Sequence, residues 1–133
     1  MALTERQQQI VATAMTLIAE KGIQNLTIKN IATRVGITEP AVYRHFNCKC
    51  DIVLTLLDQF EEQANELLQN LQHQQGSALE KIEYFIFDRY KRCAANPDLA
   101  KVMFSEEHFQ GDMRFSERMM GMMRRHRTEI HEI

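Results

Sequence analysis

Several common targeting and cross-linking signals are absent from this sequence of 133 residues. No stretch of about 18 uninterrupted apolar residues occurs, which argues against a membrane span. Residues 1–7 are polar and lack the apolar core of a secretion signal, so we expect a cytoplasmic protein. The three cysteines, Cys48, Cys50 and Cys93, are an odd and sparse set. They indicate reduced thiols and not a disulfide framework.

The sequence also lacks the common catalytic motifs. It contains no glycine-rich phosphate loop, no Gly-x-Ser-x-Gly elbow and no His-Glu-x-x-His pair. The acidic pairs Glu61/Glu62 and Glu106/Glu107 are adjacent in sequence. Adjacent positions point in different directions on a helix, so these carboxylates make poor acid–base partners. We therefore expect no enzymatic activity, no cofactor and no metal site.

Strand signals are missing as well, because period-two alternation of Val, Ile and Thr does not occur over a useful length. Apolar residues recur instead at helical spacing, which predicts an all-α fold. Glycine, proline and threonine positions set the expected helix limits. The predicted helices cover about residues 4–21, 28–35, 39–46, 49–72, 78–95, 97–107 and 113 onwards. The last helix has no stop signal before Ile133, and we expect further helices in a longer protein.

The net charge of −2 conceals a segregation of charge along the chain. Residues 1–50 hold six Lys/Arg and three acids, a net of +3. Residues 51–112 hold five Lys/Arg and twelve acids, a net of −7, and residues 113–133 have a net of +2. A positive N-terminal end can approach phosphates while the acidic body stays away from them.

Residues 27–46 contain two short predicted helices separated by Gly36. The second helix carries small, polar, aromatic and basic residues. A helix-turn-helix needs this arrangement, since its first helix packs across the DNA and its second presents side chains to base edges in the major groove. The residues expected to form the shared core of the two helices are Ile31, Ala32, Val35, Ile37, Val42 and Phe46.

The run Leu26–Phe46 resembles the N-terminal domain of the tetracycline-repressor (TetR) family. Glu20-Lys21-Gly22 at the end of the first helix and Lys49 extend the likeness, which covers about residues 6–60. The resemblance implies a three-helix DNA-binding domain, residues 1–47, followed by an antiparallel helical bundle, residues 48–133, that binds a ligand and is incomplete at its C-terminal end. It also implies a homodimer, when full length, that reads a palindromic double-stranded operator.

The same resemblance implies DNA-contacting roles at the start of each short helix. Thr27 would place its hydroxyl and helix N-terminus on a phosphate, and Lys29 would contact a phosphate or base near the operator edge. The base-reading turn would consist of Thr38, Glu39, Pro40 and Ala41. Glu39 could accept a hydrogen bond from cytosine N4, or it could only complement the helix dipole.

Further contacts are implied at the end of the second short helix. Tyr43 and His45 would donate to backbone phosphates, or alternatively cover a small core. Arg44 would point to a phosphate or to solvent. Lys49 would add another phosphate contact at the start of the fourth helix.

One segment departs from the family pattern, which has serine, lysine and an acid where this chain has Cys48-Lys49-Cys50-Asp51. Cysteine is a poor helix N-cap, so Asn47 could cap instead. Two interpretations of Cys48 and Cys50 are open. They are two small, semi-buried thiols with a structural role, or they form a redox or metal-dependent switch. A metal would have strained geometry and no evident fourth ligand.

The resemblance implies a small-molecule effector among the helices of the body. Methionine suits an adaptable pocket but also fills ordinary cores. An apolar wall favours an apolar effector. The expected lining residues are Phe60, Leu67, Phe85, Ile86, Phe87, Tyr90, Met103, Phe104, Met119 and Met123.

Two functions remain open for the whole protein. The first is a sequence-specific DNA-binding transcriptional repressor that an effector releases from its operator. The second is a DNA-bound adaptor that recruits a protein partner and senses no small molecule. An enclosed apolar cavity would favour the first, and an exposed apolar groove on a solid core would favour the second.

Overall fold

The computed structural model describes residues 2–104 and 113–132. Within these residues all regular structure is helical, and the predicted all-α fold is confirmed. The elements are α1 (Glu5–Lys21), a 3-10 turn (Ile23–Asn25), α2 (Ile28–Val35), α3 (Glu39–Tyr43), α4 (Lys49–His73), α5 (Ala78–Ala95), α6 (Pro97–Phe104) and α7 (Met113–His131). The predicted extension of α6 to Glu107 and the break at Gly111-Asp112 lie outside the described residues.

Capping side chains account for several of these limits. Thr4, Thr27, Thr38 and Ser77 each accept a hydrogen bond from the backbone N–H three residues further on. This contact satisfies one of the N–H groups that the first turn of a helix leaves unpaired. Gly36 ends α2 with a left-handed φ of 86°, and its N–H donates to Ala32 O. Other residues rarely adopt this φ, so Gly36 permits the sharp turn into α3.

The third helix is shorter than predicted. We expected it to reach Phe46, but α3 ends at Tyr43, and the N–H groups of Arg44, His45 and Phe46 close turns on Pro40 and Val42 carbonyls. Phe46 is nonetheless buried, together with Ile31, Ala32 and Val42. Val35 and Ile37 are partly buried against that core. The predicted core of the two short helices is thus filled by these residues.

α1 lies at the centre of the described structure, in contact with α2, α4 and α6. Its inward face consists of buried apolar residues and continues into α4. The resulting apolar cluster also includes Val102 of α6 and Met122 of α7. Because this cluster runs without a gap past residues 47 and 48, the N-terminal helices and the body share one core.

Polar bridges join the same elements at the surface. The Thr16 hydroxyl donates to Asp98 Oδ2 at 3.2 Å and links α1 to α6. Gln59 Nε2 donates to Gln8 Oε1 at 2.9 Å and links α4 to α1. No helix of the described chain is long and apolar enough to cross a membrane.

Candidate nucleic-acid interface

The unit of α2, its turn and α3 presents a largely exposed polar surface. Seven of the ten predicted DNA-contacting residues are exposed, and the remaining three are partly buried. The exposed residues are Thr27, Lys29, Thr38, Glu39, Pro40, Tyr43 and Arg44. The partly buried residues are Ala41, His45 and Lys49. All ten are therefore accessible, although their roles stay predictions.

The two capping threonines keep a donor for DNA. Thr27 Oγ1 accepts from Asn30 N at 3.0 Å, and Thr38 Oγ1 accepts from Ala41 N at 3.2 Å. A hydroxyl both accepts and donates, so each threonine can cap its helix and still donate its hydrogen to a phosphate. The first turns of α2 and α3 also carry the positive end of the helix dipole.

Tyr43 and His45 occupy different environments. Tyr43 is 52% exposed, so about half of its side chain is accessible for a contact. His45 is partly buried, and its carbonyl accepts from Gln7 Nε2 at 3.5 Å. His45 also lines a surface pocket with Thr4, Glu5, Arg6 and Gln9. Sequence reasoning did not predict that the start of α1 lies beside His45, because this contact joins distant segments.

Arg34 forms an ion pair, so it is not a free surface charge. Its Nη1 lies 3.0 Å from Glu20 Oε1, which joins the ends of α1 and α2. The hydrogen bond from Arg34 lowers the pKa of the Glu20 carboxyl. Both side chains are more than two-fifths exposed, so the pair holds the helices together only weakly.

The start of α4 has an unusual cap. Cys48 occupies the N-cap position without a side-chain hydrogen bond, so the expectation that Asn47 caps this helix is wrong. Cys50 packs partly against the core, while Cys48 is exposed. No cluster of three metal-ligating side chains occurs among the residues that the structure describes. Lys49 opens the helix, at the position where an approaching phosphate would also meet free N–H groups.

A second concave surface lies between α5 and α7. It is an open groove of about 580 Å³. Four residues that sequence reasoning proposed for a pocket line it: Phe85, Ile86, Tyr90 and Met123. The groove residues that sequence reasoning missed are Arg89, Cys93, His126, Arg127 and Ile130.

Three other expected lining residues, Phe60, Leu67 and Phe87, are not among the described residues that line this groove. Phe60 is buried in the main core, Leu67 is partly buried, and Phe87 is exposed beneath Lys91 Nζ. Phe60 and Leu67 are apolar because α4 faces a core, and that periodicity does not specify which neighbour they meet. The side chains of Met103, Phe104 and Met119 lie outside the described part of the chain.

The basic groove residues are held close to apolar ones. Arg89 stands over the Phe85 ring, with its guanidinium carbon 5.9 Å from the ring centre. Burial lowers the pKa of Arg89, with Arg92 adding to the effect. Burial also lowers the pKa of His126, reinforced by Arg89 and Arg125 and opposed by Glu61. The His126 Nε2 atom is buried without a hydrogen-bond partner.

The opposite face of α7 is tied to α4 by ion pairs. Arg118 Nη2 lies 2.7 Å from Glu61 Oε2 and also pairs with Asp58. Arg125 Nε donates to Glu61 Oε1 at 2.7 Å. The Glu61 side chain is only 12% exposed, so it connects two arginines in a partly desolvated site. These contacts fix α7 against α4 and thereby set one wall of the groove.

Comparison with known proteins finds a family match for the N-terminal part of the chain. Residues 10–56 match the family model described as "Bacterial regulatory proteins, tetR family". This segment of the chain is similar to the N-terminal part of tetR-family regulators. The resemblance predicted from Leu26–Phe46 is confirmed. The matched segment contains every predicted DNA-contacting residue, whereas the α5–α7 groove lies outside it.

Curated proteins similar to the chain include the nucleoid occlusion factor SlmA. The Vibrio vulnificus protein is 24% identical over 128 residues, which cover 96% of this chain and 65% of the relative. The Haemophilus ducreyi protein is 23% identical and matches 77% of this chain and 51% of the relative. The chain thus spans about half to two thirds of the length of these relatives.

Solved structures show the same fold. The ketosteroid transcriptional regulator KstR2 of Mycobacterium tuberculosis superposes with a TM-score of 0.79 at 20% identity, over 96% of this chain and 65% of the other. The transcriptional regulator FadR from Bacillus subtilis, in complex with stearoyl-CoA, gives 0.74 at 22% identity, over 92% and 65%. At these identities the likeness shows the fold alone.

Proposed function

We propose that this chain is the DNA-reading part of a transcriptional regulator that binds a palindromic double-stranded operator as a homodimer. The observation that carries the proposal is the α2–turn–α3 unit inside the segment matched by the tetR family. Its exposed face carries hydroxyl, phenol, imidazole and basic groups on a rigid apolar core. Such groups on a short helix suit phosphate and base contacts.

The contacts divide into two kinds. Thr38, Glu39, Pro40 and Ala41 lie at the start of α3, the part of a recognition helix that meets base edges. Lys29, Arg44 and Lys49 supply positive charge, and Tyr43 and His45 supply further hydrogen-bond donors for phosphates. The residues at the start of α3 would determine sequence preference. The phosphate-contacting residues would determine the affinity for DNA and its dependence on salt.

We further propose that the regulator is a repressor released from its operator by a small-molecule effector bound in the body. α4 supports this coupling, since it starts at Lys49 beside the candidate interface and its middle part contacts α5 through Gln63 and α7 through Glu61. The Bacillus subtilis FadR structure holds stearoyl-CoA on the same fold. An effector that fits only one position of α5 and α7 would shift α4 toward that position.

A DNA-bound adaptor is the alternative, and the openness of the groove favours it. Ile86 and Tyr90 are 61% and 69% exposed, which is unusual for a closed effector cavity. The size of the groove favours the effector, because nine lining residues fall well short of the roughly 20–30 per side of a stable protein interface. A volume of about 580 Å³ is within the roughly 300–1,000 Å³ range of ligand sites.

Selection from random duplex DNA tests the primary proposal. We expect enrichment of a palindromic site, and recovery of no sequence above background would refute DNA reading. Enrichment should weaken steeply as salt rises, because phosphate contacts release counterions.

A matched tyrosine pair tests the interface itself. Tyr43 and Tyr84 are 52% and 53% exposed but lie on α3 and α5. Tyr43→Phe should weaken operator binding about tenfold, since a hydrogen bond to a charged group contributes about 1.5–3 kcal/mol. Tyr84→Phe should leave it unchanged, and equal losses would contradict this placement of the interface.

A further inference from the structure

The groove between α5 and α7 combines apolar and basic residues. Its apolar surface comes from Phe85, Ile86, Tyr90, Met123 and Ile130. Its charged or titratable nitrogen groups belong to Arg89, His126 and Arg127, and none of its described lining residues is acidic. This composition contrasts with residues 51–112, whose net charge is −7. Arg89 is thus a cation within the acidic segment, and together with Arg127 of the basic segment 113–133 it gives the groove a positive charge that favours a negative ligand group.

Among the described residues, the groove arginines Arg89 and Arg127 have no carboxylate partner, in contrast to two other arginines of α7. Arg118 and Arg125 pair with carboxylates of α4. Arg89 and Arg127 form no ion pair with any residue in the described ranges 2–104 and 113–132. Arg127 follows Arg125 by two positions, so the two side chains leave α7 in nearly opposite directions. One face of α7 is therefore neutralised and the other is not.

Arg89 adds a partly desolvated cation to this face. Its side chain is partly buried and stands over the Phe85 ring. A guanidinium that has lost water without gaining a carboxylate is unfavourable until an anion arrives. The buried His126 Nε2, which also lacks a hydrogen-bond partner, lies on the same groove. Both groups could be satisfied by a single anionic head group.

The dimensions suit a flexible chain. The lining positions run from Phe85 to Cys93 on α5 and from Met123 to Ile130 on α7. These segments are roughly 10–12 Å long at 1.5 Å per residue. An apolar groove of that length accepts an alkyl chain, and the flexible Met123 side chain can adapt to the shape of that chain.

We propose that this groove binds an acyl anion, with the alkyl chain on the apolar wall and the anionic head on Arg89 and Arg127. A free fatty acid and an acyl-coenzyme A thioester share this chemistry. The first offers a carboxylate and the second offers phosphates. Binding in the groove stands on its own residues, and its effect on DNA rests on the proposed repressor function.

Calorimetric titration of the full chain tests the ligand class. The probes are decanoate, decanoyl-coenzyme A, decanol and decyltrimethylammonium, which share the alkyl chain and differ in head group. We expect decanoate or its thioester to bind about tenfold or more tightly than decanol, because charge-assisted hydrogen bonds contribute about 1.5–3 kcal/mol. The cationic probe should bind least. The tighter of the two anionic probes identifies the source of the anion, and equal binding of decanol would overturn the proposal.

Matched variants locate the site. Arg127→Gln should weaken decanoate binding about tenfold. Arg124→Gln, on the same helix but outside the groove lining, should change it by less than about twofold. Ile86→Gln should weaken binding, whereas Leu79→Gln should not. Both residues are exposed on α5, at 61% and 66%, and only Ile86 lines the groove. Equal losses within either pair would overturn the assignment.

Two further measurements separate the outcomes. Far-ultraviolet circular dichroism of each variant checks that lost binding is not lost folding. Sedimentation with and without decanoate tests a second copy as the occupant, since a dimer that Ile86→Gln dissociates would overturn the ligand assignment. Decanoate binding without operator enrichment would refute the repressor and leave the groove proposal intact. Operator enrichment without binding of either anionic probe would refute the groove proposal and leave the proposed DNA-binding regulator intact.

Discussion

The α2–α3 unit and the α5–α7 groove are both exposed, but different contacts hold them. Ile31, Ala32, Val42 and Phe46 are buried beneath the first surface, and threonine caps fix both helix starts. α5 has no buried residue, and its contact with α4 includes a 3.4 Å hydrogen bond from Arg92 to Gln63. The first surface is preorganised for recognition, whereas the second is free to adjust around an occupant.

Truncation of a core residue should give the largest difference in the free energy of unfolding between the two regions. Ile31→Ala removes a fully buried side chain under the interface and should lower the free energy of unfolding by about 2–5 kcal/mol. Ile86→Ala on α5 should change it by about 0.5 kcal/mol or less. Urea unfolding followed by circular dichroism measures both. Similar losses would show that α5 is as firmly packed as α2.

Loss of the Glu61 carboxylate should come next. Glu61→Gln removes the shared partner of Arg118 and Arg125 and should cost about 1.5–3 kcal/mol, because hydrogen bonds between charged groups are lost in a partly desolvated site. Glu62→Gln changes the adjacent exposed carboxylate and provides the control. Urea unfolding of the two variants compares them. An unchanged midpoint for Glu61→Gln would show that the ion pairs do not fix α7.

The cap of α4 should give a smaller, stabilising effect. Cys48 has no capping hydrogen bond, so Cys48→Ser should raise the free energy of unfolding by about 0.5–1 kcal/mol. Cys48→Ala supplies no capping oxygen and should show no such gain. Thermal unfolding under reducing conditions distinguishes them. A serine variant no more stable than the alanine variant would mean that the turn at residues 46–48 prevents capping.

The smallest expected effect is on pH dependence. Burial lowers the pKa of His126 below its usual 6.5, so the unfolded chain binds the proton more readily. The stability from neutral His126 is complete above pH 6.5 and is lost as the pH falls through the folded pKa. His126→Gln should therefore reduce the loss of Tm on acidification. A parallel decline in both proteins would indicate that Glu61 offsets the positive charge of protonated His126.

Local signals predicted most of the fold. Thr27, Gly36 and Thr38 act through hydrogen bonds to residues three or four positions away, so their effect on helix limits could be read from the sequence. The same applies to the interface, whose residues lie within one continuous segment. α3 ended earlier than expected because turns on Pro40 and Val42 carbonyls replace the last helical turn.

The groove was less predictable because it depends on contacts between distant segments. Phe85, Ile86, Tyr90 and Met123 were predicted, whereas five groove residues were not, and these include the apolar Ile130. Arg89 and Cys93 stand four positions apart on α5, as do Met123 and Arg127 on α7. That spacing marks one face of each helix. Only the three-dimensional structure shows that these two faces lie on opposite sides of one groove.

The length of α4 gives it the geometry of a lever. Its 25 residues, Lys49–His73, extend for about 37 Å at 1.5 Å per residue. A tilt of about 5° about the far end would displace Lys49 by roughly 3 Å, on the order of one hydrogen-bond length. In the proposed homodimer, a change in the body too small to alter any helix would then suffice to move the two α2–α3 units out of register with successive turns of the operator.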